Sequence, residues 1–383
     1  MKLRKLDQSE HGSTRPLWEE VFPDDTKAFL DYYYYIKTRD NEIYVVEEDD
    51  QVCSMLQLNP YQIVIEGREF LSAYIIAVAT REKYRGRGYM GALLRTSLEN
   101  MYKKKIPFTF LMPAAEAIYT PYDFRFVYEQ NIGVAGPEGH RGADRDPFLT
   151  ECTFSDAALW EAEEISGFVR DHFTSEWQVY AVRDTAYYQT MIMEQQSEKG
   201  GLRLIRFEGS LKGIYAYAAE EELEIREPLY LPEYESAFYR SVTELCGDRA
   251  KTAVRIYACP EQSSVEKKPV IMARIVCLEE FLKALTVPSG MKVDCSFAVI
   301  DPLIRQNSRV WRVTSGTDET ELHVRETEDS EGVLPVAALT ELLFGRVTAD
   351  ELAGQDEVIM TAGLARELDK ITKLANVFLN EVV

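Results

Sequence analysis

The sequence predicts a mixed α/β (α+β) protein of three consecutive units, the second repeating the architecture of the first. Three observations carry this. Residues 42–80 hold three β-branched and apolar runs, parted by Asp49-Asp50 and Glu66-Gly67, and the amphipathic segment "YMGALLRTSLENM" follows. The same order of hairpin, strand, helix and strand returns between residues 202 and 260. Between the two, "GPEGHRGADRDP" at residues 136–147 has the glycine, proline and charge content of a linker. The units expected are residues 1–135, 148–284 and 285–383.

In chain order, "FPDDTKAFLDYYYYIKTR" reads as a helix with Asp24 or Asp25 near its N-cap and Phe29, Tyr32 and Tyr33 on one stripe. The three strands follow, then a helix reaching about Lys104. "IPFTFLMPA" reads as a strand, "EAIYTPYDF" as a short helix and "RFVYEQNIGVAG" as a strand. The second unit opens with the helices "SDAALWEAEEISGFVRDHF" and "RDTAYYQTMIMEQQ". A hairpin turning at Glu208-Gly209 comes next, then the strand "EELEIREPLYLP", the helix "EYESAFYRSVTELCG" and the strand "KTAVRIYACP". The third unit has strands within residues 287–328. Its helix "LPVAALTELLFG" stops at Gly345, and "TADELAGQ" opens with Thr348 and Glu351 in capping-box spacing. "LARELDKITKLAN" reads as a last helix before the apolar tail "VFLNEVV".

Composition narrows the function. The 383 residues are 46% apolar and 28% charged, a globular balance, and no apolar run is long enough to span a bilayer. "MKLRKLDQSEHGS" lacks the apolar core of a secretory signal. Six scattered cysteines fit reduced thiols, so a cytoplasmic protein is expected. His11, His140, His172 and His323 match no metal or triad spacing, and no metal is expected. The net charge of −21 repels nucleic acid and anionic membranes and attracts a cationic substrate; solubility alone is the plainer explanation of it.

The stretch "VATREKYRGRGYMGALL" carries the chemistry. A strand running into glycine-rich backbone and then a helix turns successive N–H groups toward one point. The helix N-terminus adds partial positive charge, and Arg85 and Arg87 add charge-assisted bonds. This combination suits a diphosphate. No P-loop spacing is present. Gly86, Gly88 and Gly91 do match G-x-G-x-x-G, yet the strand ends an antiparallel hairpin and no acidic partner follows at the proper place. A solvated Gly-Arg turn is the alternative without function.

The same residues resemble motif A of the GCN5-related N-acetyltransferases (GNAT), R/Q-x-x-G-x-G/A, with Arg85 and Gly88 matching and Met90 departing. "AIYTPYDFRFVYE" is similar to that family's Y-x-x-x-G-F motif B. Tyr119 and Phe124 match, and Asp123 replaces the glycine. Two tandem GNAT-like mixed-sheet domains, the second without the cofactor motif, before a small sterol-carrier-like α/β domain, is the layout of the Eis-like acetyltransferases. "KPVIMARIVCLEEFLKAL" resembles their linker into the third domain. The resemblance covers nearly the whole chain.

It implies acetyl-CoA as donor and an aminoglycoside-like or polyamine-like amine as acceptor. The pantetheine arm would lie along Val78, Ala79 and Thr80. The diphosphate would take backbone N–H groups from Gly86, Arg87, Gly88, Tyr89, Met90 and Gly91, with the Arg85 side chain adding charge, and Ala114 and Ala115 would complete the groove. Tyr119 would be the general acid, with Tyr122 as fallback and a core tyrosine as the alternative reading. The carboxylate of Val383 would be the base, unless the tail simply packs as a strand. Phe22, Asp25, Phe29 and Tyr33 could line the acceptor pocket, with Asp24 and Glu381 as further acids. A homo-oligomer, commonly a hexamer in that group, is implied. Two other functions stay open: a lipid or sterol carrier acting through the third unit, and a coenzyme A-binding pseudoenzyme that regulates a partner.

Overall fold

Long antiparallel strands build the first part of the sheet. In the computed structural model, which describes residues 2–135, 151–220, 222–247, 254–261, 265–316 and 319–381, β1 (Lys2–Lys5) pairs with β2 (Glu42–Glu48). β2 pairs with β3 (Gln51–Ile65), and β3 with β4 (Arg68–Thr80). The two hairpins turn where the sequence places them. Asp49 and Asp50 have φ of 51° and 56°, and Glu66 and Gly67 have 49° and 76°. Two successive left-handed residues match the twist of two-residue hairpins. The expected linker at 136–147 and the terminal Val383 lie outside the described residues.

Two helices, α1 (Arg15–Val21) and α2 (Lys27–Tyr35), pack on this sheet. The N-cap of α2 is Thr26, next to Asp24 and Asp25, and its Oγ1 accepts the Phe29 N–H at 3.2 Å. Asp25 instead accepts the Trp18 indole N–H at 2.6 Å, which takes it out of capping range. On the other face, α3 (Tyr89–Lys103) buries Tyr89, Leu93, Leu94, Leu98 and Met101, the apolar stripe of an amphipathic helix. β5 (Phe108–Leu111), α4 (Glu116–Tyr119) and β6 (Arg125–Ala135) follow.

The second unit contributes β7 (Cys152–Asp156), α5 (Ala162–His172), β8 (Val179–Ala181), α6 (Thr185–Ser197), β9 (Gly201–Phe207), β10 (Ser210–Ala218), β11 (Glu224–Tyr230), α7 (Glu235–Cys246), β12 (Val254–Tyr257) and β13 (Glu266–Ile275). Its strands do not form a separate sheet. Among the described residues one sheet runs β1-β2-β3-β4-β5-β13-β6-β12-β11-β10-β9-β7. β13 inserts between β5 and β6, so a strand more than 100 residues downstream completes the first part.

The third part has α8 (Leu278–Ala284), β14 (Asp294–Ile300), β15 (Val310–Thr314), β16 (His323–Glu326), β17 (Gly332–Pro335), α9 (Val336–Leu343), α10 (Ala349–Ala353), β18 (Ile359–Met360), α11 (Ala362–Asp369) and β19 (Val377–Phe378). Its sheet order is β16-β15-β14-β17-β18. α9 is apolar nearly all round and buried except at Glu341, as such a helix must be. Thr348 and Glu351 form the expected capping box. α11 stops at Asp369, earlier than its pattern suggests, because the Lys373 ammonium caps the Leu368 and Ile371 carbonyls at 2.6 and 2.9 Å. One apolar cluster joins Ile63, Phe108 and Phe110 to Ile271 and Ile275 and on to Phe281, Leu339 and Phe344, so the third part shares a core with the first. The mixed α/β class is the one the sequence predicts.

Candidate active site

The site begins where β4 loses its partner. β4 runs parallel to β5 only at Ala73–Thr109 and Tyr74–Phe110, while the other edge of β5 pairs with β13 along its length. From Ile75 to Thr80, no strand pairs with that edge of β4 among the described residues. A bulge helps to turn the edge outward: Ala77 and Val78 oppose the single residue Leu56, and Ala77 has φ of 50°. Val78, Ala79 and Thr80 therefore carry backbone donors and acceptors on an open edge. Hydrogen bonds from Ser54 Oγ to the Ala79 carbonyl (2.9 Å) and between Ser54 and Thr80 hydroxyls (2.7 Å) fix the other side.

This edge leads into the glycine-arginine turn. Gly86 and Gly88 have φ of 77° and 78°, and Gly88 is the N-cap of α3. A Cβ at either would meet nothing within 4 Å. The first-turn N–H groups of α3 at Tyr89, Met90 and Gly91 have no intrahelical acceptor, as at any helix start. Arg85 is exposed, with its Nε donating to the Thr80 carbonyl at 3.3 Å. Arg87 lies over the Tyr84 ring at 4.9 Å and reaches Glu48 at 3.3 Å; the Tyr89 hydroxyl donates to the same carboxylate. The turn thus offers open backbone donors, a helix N-terminus and one arginine, Arg85, without a carboxylate partner among the described residues, a set that fits an anion with several oxygens.

Across the opening stands α4. Ala114 and Ala115 precede it, exposed, with Ala115 extended. Tyr119 is 7% exposed, packs on Phe124 with centroids 5.9 Å apart, and its hydroxyl makes no hydrogen bond among the described residues. Burial pushes its phenol up to about 12. Asp123 adopts φ 65°, ψ 19°, so an aspartate supplies the left-handed turn; among L-residues, Asn and Asp enter that region most readily. Burial raises the Asp123 carboxyl, and Arg274 opposes the rise. The Tyr122 hydroxyl leans on Gly91, only 2.8 Å from where a Cβ there would lie.

The C-terminal tail enters beside two adjoining cavities of about 260 Å³ each. The first is lined by Lys37, Tyr61, Tyr187 and Glu381, the second by Gln130, Arg226 and Glu227; Met191, Glu194 and Asn380 border both. The tail is held along its length. β19 pairs parallel with β8, and Phe378 stacks on Trp177 at 4.1 Å and 4°. Asn380 accepts from Gln130 at 2.8 Å and donates to Glu227 at 2.7 Å. Buried Arg183 pairs with Glu227 and, at 3.2 Å, with Glu381, which also accepts the Tyr187 hydroxyl at 3.2 Å. The second carboxylate oxygen of Glu381 is buried without a partner among the described residues. Burial pushes this carboxyl up to about 7, against the pull of Arg183. Burial also raises Glu194, which accepts the Tyr32 hydroxyl at 3.0 Å, and lowers Lys37, whose ammonium donates to the Tyr61 hydroxyl at 2.8 Å.

The aromatic stretch of α2 is core rather than cavity wall. Phe29 and Tyr33 are 6% and 0% exposed, and Tyr33 donates to Asn59 at 2.9 Å. Phe22 packs edge-on against Trp18 at 5.9 Å, and Asp25 is bound to the same indole. None of these four lines either cavity. The residues that do, Lys37, Tyr61, Glu194 and Glu227, come from four separate elements and carry no local motif. Arg274 does leave a signal, a charged residue inside the apolar run "VIMARIVCL", whereas Arg183 ends an apolar stretch beside Asp184.

Residues 2–127 match the acetyltransferase (GNAT) domain family, and residues 278–380 match the sterol carrier protein domain family. No curated protein matches the sequence. The fold is similar over the full chain to three crystal structures. A conserved Enterococcus faecalis V583 protein of unknown function, a probable N-acyltransferase, is 20% identical with a TM-score of 0.83, covering 100% of this chain and 99% of that one. A GCN5-related N-acetyltransferase from Anabaena variabilis ATCC 29413 is 17% identical with a TM-score of 0.78 and 99% of each chain covered. Eis1 from Mycobacterium abscessus is 14% identical with a TM-score of 0.71, covering 100% of both. The chain thus carries an acetyltransferase (GNAT) domain at residues 2–127, which holds the open β4 edge and the Gly-Arg helix start, and a sterol carrier protein domain at residues 278–380.

Proposed function

We propose that the chain transfers an acetyl group from acetyl-CoA to a primary amine of a cationic acceptor, aminoglycoside-like or polyamine-like. The observation that carries this reading is the unpaired β4 edge running directly into the Arg85–Gly91 turn. The residues fit coenzyme A: an extended amide-bearing arm can add to the edge at Val78–Thr80 as a strand would. Gly86 and Gly88 leave room for phosphate oxygens at N–H groups that a Cβ would crowd. Arg85 supplies charge, and Ala114 and Ala115 leave space opposite.

Bound acetyl-CoA supplies an activated thioester; the chain's own residues do the rest. Tyr119, with its phenol raised by burial, keeps its proton at neutral pH and can give it to a departing thiolate. Glu194 and Glu381 offer carboxylates beside the cavities, and the unpaired Glu381 oxygen suits an ammonium. The Val383 carboxylate is the proposed base. The seating of the tail as far as Glu381 supports this, although burial of a weak base is needed for it to act.

The test is thiol release from acetyl-CoA with a panel of mono- and polyamines. Transfer to polycationic amines, lost when a few residues are added after Val383 while coenzyme A still binds, supports the assignment. Coenzyme A binding with no transfer to any amine would leave a regulatory pseudoenzyme, and no binding at all would end the enzyme reading.

A further inference from the structure

We infer that Arg274 is a positioning residue for the Tyr119–Asp123 turn, and that the sterol carrier domain holds it there through Asp301. The inference rests on Tyr119 as the general acid. β13 carries Arg274 through the middle of the sheet, between β5 and β6, and its side chain is fully buried. Each guanidinium nitrogen is engaged. Nε donates to the Tyr122 carbonyl at 2.9 Å, Nη1 to the Ile275 carbonyl at 2.8 Å, and Nη2 to Asp301 at 2.5 Å, with Asp123 at 3.6 Å.

The anchor is itself fixed. Asp301 accepts N–H bonds from Leu303 and Ile304 at 3.0 and 2.8 Å and from the Asn307 amide at 2.9 Å. Asn307 in turn donates to the Val276 carbonyl at 2.8 Å and accepts the Leu278 N–H at 3.1 Å. A loop of the third part therefore grips the end of β13 on one side of Arg274, while Arg274 grips the catalytic turn on the other. Such a rigid planar fork with five donors can serve two carbonyls and two carboxylates at once; an ammonium with three donors cannot.

What the fork holds matters for both ends of the site. The turn closes on itself through Phe124 N–H to the Tyr119 carbonyl at 3.4 Å, so Tyr119 moves with it. The Tyr122 hydroxyl presses on Gly91 in the first turn of α3. Asp123, where the motif-B pattern has glycine, supplies both the left-handed backbone and a carboxylate facing the guanidinium. The departure from the pattern thus has a physical partner in β13.

The experiment uses the full chain with Asp301→Asn and Arg274→Lys, alone and combined with Tyr119→Phe. A brace predicts that Asp301→Asn keeps its fold and its KM for the amine. It loses about tenfold to a hundredfold in kcat, the scale of small misplacements of a reacting group. In the Tyr119→Phe background the same change costs nothing further, because there is no acid left to misplace. Arg274→Lys does not restore the rate. In the ligand-free Asp301→Asn chain, the amides of residues 120–124 exchange faster with solvent. Asp123→Asn, which keeps the left-handed turn and removes one carboxylate, takes the same cycle if Asp301→Asn does not fold. An unchanged kcat, an equal loss with and without the Tyr119 hydroxyl, or unchanged amide exchange overturns the brace. Absence of transfer in the unmutated chain would instead remove the acetyltransferase reading, and the exchange measurement alone would then decide whether the brace exists.

Discussion

Replacing Gly88 with alanine separates the strain of the turn from its use. Gly88 sits at φ 78°, ψ 12°, where a Cβ costs about 1–2 kcal/mol. Among the described residues, no atom beyond its chain neighbours lies within 4 Å of that Cβ, so this strain is the main penalty in the ligand-free chain. It is present with and without ligand, and it therefore cancels from the binding free energy. If phosphate oxygens approach the orphan N–H groups here, the methyl displaces them from a charge-assisted bond worth about 1.5–3 kcal/mol. That is a rise in the coenzyme A Kd of roughly tenfold to a hundredfold. Gly67→Ala is the control. It has φ 76° and equally open space, but lies in the β3–β4 hairpin away from the turn. Both variants should melt a few degrees lower, as about 1–2 kcal/mol requires, and calorimetry should show weakened coenzyme A binding in Gly88→Ala alone. Equal affinities in the two variants would refute the cradle.

Other outcomes follow from the same geometry. Tyr119→Phe should lower kcat by roughly 10²–10⁴-fold, the worth of a placed acid, with coenzyme A affinity unchanged by calorimetry; a KM effect alone would count against an acid role. The Glu381 carboxyl, raised from 4.5 to about 7, binds its proton more tightly folded than unfolded. Stability should therefore fall as pH rises through that window, and Glu381→Gln should flatten the fall in urea titrations. Superimposable slopes for the two proteins would mean that the carboxyl is not raised. Arg183→Met should cost about 3–5 kcal/mol, because it strands Glu227 and Glu381 as buried charges. Adding Glu227→Gln and Glu381→Gln should recover most of the denaturant midpoint, and failure to recover would point to packing over Tyr187 and Phe378 instead.

Local chemistry was legible in the sequence and long-range pairing was not. The hairpin turns at Asp49-Asp50 and Glu66-Gly67, the stripe of α3 and the Thr348 capping box depend on neighbours within a few residues. So does the Gly-Arg turn, whose open donors come from backbone conformation. The aromatic run at 32–35 misleads, because tyrosine suits a ligand wall and a core equally. Here Tyr32 and Tyr33 send their hydroxyls to Glu194 and Asn59, partners from other elements. Thr26 outcompetes Asp25 as a cap because Trp18 claims the aspartate. Nothing local shows that β13 enters the first part of the sheet, so the roles of Arg274 and Asp301 become visible only once the sheet is assembled.

The two halves of the large sheet share one irregularity put to different ends. In β4, Ala77 at φ 50° and Val78 oppose Leu56; in β11, Glu227 at φ 49° and Pro228 oppose Tyr215. Non-glycine residues at positive φ are strained, and such strain persists where surrounding structure holds it. After β4 a short turn at Glu82–Tyr84 leads through Arg85–Gly88 into α3, whereas after β11 the turn at Pro232–Tyr234 leads straight into α7. The second copy thus lacks the glycines that open the backbone at a helix start. Its bulge carries a carboxylate in place of a methyl group, and Arg183 and Asn380 occupy that carboxylate. The same kink that bares a strand edge in the first copy therefore seats the C-terminal tail in the second. The tail in turn borders the two cavities, whose walls draw on residues such as Lys37 and Tyr61 from the first half and Glu194 and Glu227 from the second.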